Sequence, residues 1–67
     1  MERTLYFGSV SAASRGKRLL AAARIRSRLT KLESDAEGCA WGLKLKEDDL
    51  LAAAQILRAE GVRYEVR

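Results

Sequence analysis

Between Ala40 and Lys46 apolar and polar residues alternate, with Trp41, Leu43 and Leu45 on one side and Lys44 and Lys46 on the other. A period of two is the mark of a strand with one buried face. Residues 4–10, TLYFGSV, are short and rich in aromatic and β-branched types, which predicts a first strand. Leu5 and Phe7 fall on one face of it, Tyr6 and Gly8 on the other. Ser9 and Ser11 then offer side-chain oxygens to cap a helix. From there Ala12, Gly16, Leu19, Leu20 and Ala23 recur at helical spacing, with Arg15, Lys17, Arg18 and Arg24 off that face. A glycine inside a helix costs about 1 kcal/mol, so Gly16 on the apolar face predicts close packing against a sheet.

Residues 25–32 alternate imperfectly and carry Arg26, Arg28 and Lys31, the pattern of a charged edge strand. Residues 33–38 are small and polar and predict a loop. Glu47 or Asp48 caps a second helix, whose Leu50, Ala53, Ala54 and Leu57 form a core stripe closed by Gly61 just past the end. Val62, Tyr64 and Val66 alternate with Arg63, Glu65 and Arg67 as a fourth strand.

The predicted order is β-α-β-β-α-β, and a faint repeat supports it. Leu19, Leu20 and Ile25 recur 37 positions later as Ile56, Leu57 and Val62, and Leu29 recurs as Val66. Two similar βαβ halves define a split-βαβ, ferredoxin-like α+β sandwich. The expectation is one domain over residues 1–67, with an antiparallel sheet of order 4-1-3-2. Both helices then cover one face and leave the other open.

Composition narrows the function classes. The chain has 67 residues, 48% hydrophobic and 33% charged, with no proline and no histidine. One cysteine excludes an internal disulfide and points to a reducing compartment, the cytosol by default. No run reaches the ~20 apolar residues of a membrane helix, and no signal peptide is recognised. Without histidine, histidine acid–base work and Cys-His protease chemistry drop out, as does a mononuclear structural zinc site. No phosphate-loop pattern occurs, and neither a metal nor a cofactor is expected. The net charge of +4 fits a soluble basic surface, and also admits anionic partners.

The candidate chemistry centres on Cys39, between Gly38 and Gly42. In the predicted topology strands one and three are antiparallel neighbours, so the start of strand three lies beside the end of strand one. Helix one begins at the same rim. Cys39 shares parity with Trp41, which turns its sulfur toward the helix side. Unpaired N–H groups and the aligned peptide dipoles at a helix start favour anions. Such placement lowers a thiol pKa from about 8.5 into the range of roughly 3.5–7.5. Ser9, Ser11 and Arg15 are the expected anion-stabilising partners, and Gly38 and Gly42 allow close approach of a second molecule. A free cysteine is also a common small core residue, and that competing reading leaves the protein a plain sandwich.

Several of these residues resemble the small bacterial selenium/sulfur (Se/S) carrier-like domains. The likeness runs through Leu5-Tyr6-Phe7-Gly8-Ser9, Gly38-Cys39, Leu43-Lys44-Leu45 and Asp48-Asp49-Leu50. It implies a thiol carrier rather than a turnover enzyme, with Cys39 holding a persulfide or selenosulfide between donor and acceptor proteins. The chain departs from the pattern in having no proline before the site, and Ala40 where glycine follows the family's cysteine. The alternative is a non-catalytic binding or regulatory module. Its open sheet face would present Tyr6, Arg28, Thr30, Lys44, Lys46 and Arg63 to RNA or a protein. A homodimer is a further expectation, since open-faced sandwiches of this size gain area by pairing.

Overall fold

A computed structural model describes residues 1–32 and 40–66. The element order is β1 (Glu2–Phe7), α1 (Val10–Ala22), β2 (Arg28–Leu32), β3 (Ala40–Lys46), α2 (Leu50–Ala59) and β4 (Glu65–Val66). All neighbouring strands pair antiparallel, in the order β2-β3-β1-β4. That is the expected ferredoxin-like α+β sheet, read from its other edge.

The alternation in β3 does what its pattern demands. Leu43 and Leu45 are buried, Trp41 is partly buried against the core, and Lys46 is exposed. Leu5 sits across from Leu43 and Phe7 across from Trp41. These residues join Ala13, Gly16 and Leu20 of α1 and Ala53 and Leu57 of α2 in the buried interior. Both helices therefore cover the same face. On α1 the innermost alanine is Ala13, with Ala12 only partly buried, and Ala23 is exposed as the C-cap.

Gly16 lies where α1 crosses β1, β3 and α2. A Cβ there would stand 3.2 Å from Phe7 Cζ and 3.4 Å from both Leu43 Cδ1 and Leu57 Cδ2. The helix can come this close to the sheet only because nothing projects from that position.

Both helices end in the same device. In α2, Gly61 adopts a positive φ of 71°, its N–H reaches Arg58 O at 3.1 Å, and the Val62 N–H reaches Leu57 O at 2.9 Å. In α1, Arg24 adopts φ 63°, its N–H reaches Ala21 O at 2.9 Å, and the Ile25 N–H reaches Leu20 O at 2.8 Å. This is the Schellman pattern, with a hydrophobic pair flanking the left-handed residue. Leu20 with Ile25 and Leu57 with Val62 are those pairs, and all four are buried. The 37-residue repeat is thus the repeat of a helix-ending motif. The leucine and valine that extend it, Leu29 and Val66, face Leu43 and Leu5 from the two edge strands.

Several boundaries differ from the sequence reading. β1 begins at Glu2 and ends at Phe7, because β3 supplies partners as far as Lys46 for residues that are polar on their own. β2 begins at Arg28 instead of residue 25, since Ile25 is held by the end of α1. Before α2 a 3₁₀ turn spans Glu47–Asp49, and Asp49 makes no side-chain cap bond. β4 is only two residues long, although Val62 is buried and Tyr64 half-buried ahead of it. No described helix is long and apolar enough to cross a membrane.

Candidate functional site

The rim predicted to matter is where β1 ends, β3 starts and α1 begins. The pairing of Phe7 with Trp41 sets the first two of these side by side. Ser9 turns the chain: its φ of −146° and ψ of 155° are extended, and its Oγ accepts from the Ala12 N–H at 3.2 Å. The Ala13 N–H bonds the Ser9 carbonyl at 3.1 Å. Ser9 is therefore the cap, and Ser11 lies in the first turn of α1 with an exposed side chain. The N–H groups of Val10 and Ser11 fall outside the helix's own bonding, as the first groups of any α-helix do. No acidic side chain occupies this first turn to compete for them.

Arg15 has an ion-pair partner just past the end of α2. Its Nη2 lies 3.6 Å from Glu60 Oε1, across the helix–helix seam at the end of α2. Both groups are about half exposed, so the pair is a weak surface link between α1 and α2. Gly42 is placed by the strand register. It is a buried position inside β3, flanked by Tyr6 on β1 and Thr30 on β2, on the face opposite the helices. Cys39 and Gly38 lie outside the described residues. Ala40, to which Cys39 is bonded, opens β3 and pairs with Leu32.

The open face carries most of what its sequence parity predicts. Register places Arg28 across from Lys44, Thr30 across from Gly42, and Tyr6 across from both Gly42 and Glu65. Lys46 lies across from Glu2. Tyr6 is half-buried in the middle of the sheet, across from Gly42. The described part of the face thus has one aromatic, flanked by acids as well as bases. Arg63 precedes β4 and lines a hollow together with Tyr6, Glu65, Tyr64 and Arg58.

Sequence reasoning missed the participation of Glu2, Arg26 and Ser27, which stand with Arg28, Lys44 and Lys46 at one end of the open face. The signal was present as two short basic runs, Arg26-Ser27-Arg28 and Lys44-Leu45-Lys46. Only the β2–β3 register brings them together. Among the described residues no group of three or more cysteines, aspartates or glutamates is placed to hold a metal ion.

No family model matches this chain, no curated protein matches it, and no solved structure matches it.

Proposed function

We propose that the protein is a sulfur or selenium carrier of the cytosol whose working group is the Cys39 thiolate. The observation that supports this reading is the Phe7–Trp41 pairing: the strand that follows Cys39 starts at the rim where Ser9 caps α1. There the unpaired donors and dipole of the helix favour an anion. In the transfer step the Cys39 thiolate attacks the terminal sulfur of a donor persulfide. The new S–S bond forms on Cys39, the donor's own S–S bond breaks, and the donor leaves as a thiolate. A donor selenosulfide reacts in the same way, and Cys39 then carries the selenium. Delivery to an acceptor thiolate repeats the exchange in reverse, and no net oxidation occurs.

The test is intact-mass analysis after incubation with a cysteine desulfurase and free cysteine. A gain of one sulfur on the wild type, absent in Cys39→Ser and reversed by a reductant, is the expected result. A folded protein whose thiol resists alkylating reagents across the neutral range would end this reading.

The open-face register favours a second reading, a binding module for single-stranded RNA. Arg28, Lys44 and Lys46 offer cations to a phosphate backbone and Tyr6 offers one ring. It requires salt-dependent RNA binding that is lost on combining Tyr6→Ala with Lys44→Ala.

A further inference from the structure

The sheet has a second chemically distinct end, opposite the rim where α1 begins. Here β1 and β2 start and β3 finishes. The register sets Arg28 directly across from Lys44, and Lys46 directly across from Glu2. Directly opposed residues of antiparallel strands point to the same face with Cβ atoms about 4.5–5.5 Å apart, and like charges so placed repel. Arg28, Lys44 and Lys46 share the face that the helices leave uncovered.

A shallow cleft of about 310 Å³ lies at this end, lined by Glu2, Arg26, Ser27, Arg28, Lys44 and Lys46. Four cations meet a single carboxylate there. That carboxylate, Glu2 Oε1, comes only to 4.0 Å from Arg28 Nη2, and both side chains are largely exposed. Glu2 therefore leaves most of the positive charge unanswered. Ser27 lines both this cleft and a second hollow beside α1, and its Oγ is buried with no hydrogen-bond partner among the described residues. A buried hydroxyl without a partner is a cost that native structures seldom keep without a use. The remedy for the clustered positive charge is a compact anion rich in acceptor oxygens.

We propose that this cleft binds a phosphate group, as free inorganic phosphate or as the monoester of a small molecule. A phosphate dianion matches the excess of three positive charges better than a single carboxylate does. Arg26 and Arg28 supply forked donors for its oxygens, and Lys44 and Lys46 supply mobile point charges. The site is independent of the thiol reading. It narrows the open-face reading to one end of the sheet and to one phosphate.

The experiment is a ¹H–¹⁵N titration of the full chain at fixed ionic strength, with inorganic phosphate, adenosine monophosphate, acetate and an oligoribonucleotide as separate arms. Saturable shifts confined to residues 2, 26–28 and 44–46 are expected with both phosphates, and none with acetate. Tighter binding of the nucleotide identifies an ester as the ligand, and equal binding identifies the free anion. Lys44→Gln combined with Lys46→Gln should weaken binding at least tenfold. Arg18→Gln combined with Arg58→Gln makes the same change in net charge and should stay within twofold of wild type. Cys39→Ser should bind phosphate as wild type does, which separates this site from the carrier chemistry. Shifts spread over all the basic residues, equal weakening by the two double variants, or binding of the oligomer alone would each overturn the proposal.

Discussion

Arg24 and Gly61 occupy equivalent positions, each just past the end of a helix and each at positive φ, 63° and 71°. They therefore make a reciprocal test of what ends the two helices. At Gly61 a Cβ would meet nothing within 4 Å, so replacing it by alanine introduces no collision. What remains is the cost of forcing an L-residue into the left-handed region, about 1–2 kcal/mol. Alanine recovers roughly 0.4–1 kcal/mol of this by restricting the unfolded chain. The net expectation for Gly61→Ala is a loss of about 1 kcal/mol. Arg24→Gly runs the same sum backwards and should gain about as much, since Arg24 is exposed and its guanidinium makes no ion pair within the described residues. In a domain of this size about 1 kcal/mol moves the thermal midpoint by roughly 4–8 °C. The assay is thermal and urea unfolding followed by far-ultraviolet circular dichroism and by Trp41 fluorescence. The double variant should return close to wild type, because the two sites share no partner. If Arg24→Gly lowers the midpoint, or Gly61→Ala leaves it unmoved, the backbone-strain argument fails at that helix end.

Three further variants probe the packing and the caps. Gly16→Val pushes methyl groups beyond a Cβ that is already 3.2 Å from Phe7 Cζ, so overpacking should cost about 1–3 kcal/mol, read as a lower urea midpoint. An unchanged midpoint would mean that α1 can lift from the sheet freely. Ser9→Ala removes the acceptor for the Ala12 N–H and should cost about 1 kcal/mol, with Ser9→Asp restoring it, as measured by chemical denaturation. Ser27→Ala discards a buried hydroxyl with no partner among the described residues and should leave the phosphate-free protein unchanged or up to about 1 kcal/mol more stable. A clear loss of stability there would show that Ser27 Oγ is bonded in solution.

How much of this protein could be read from one dimension depended on the range of each interaction. Period-two alternation in β3 and the helical stripes of α1 and α2 are local, because each residue's face follows from its neighbours' geometry. They were sufficient for the β-α-β-β-α-β order and the buried leucines, and the strand order followed from the split-βαβ topology that this order defines. Gly61 was legible as a helix end because glycine is the residue that position favours. Its twin at Arg24 was not, since nothing about arginine signals a positive φ, and the buried Leu20–Ile25 pair with the two backbone bonds that close α1 holds it there.

Tertiary structure decided whatever depended on a distant partner. The polar start of β1 is a strand because residues more than forty positions away, Leu45 and Lys46, complete its ladder. Arg15 is turned toward α2 because Glu60 lies across the seam. The rim beside the start of β3 could be placed in advance, since topology alone sets strand ends and helix starts together. The basic cleft could not. Arg28 and Lys44 become neighbours only through the β2–β3 register, and a slip of one residue would have turned one of them to the other face.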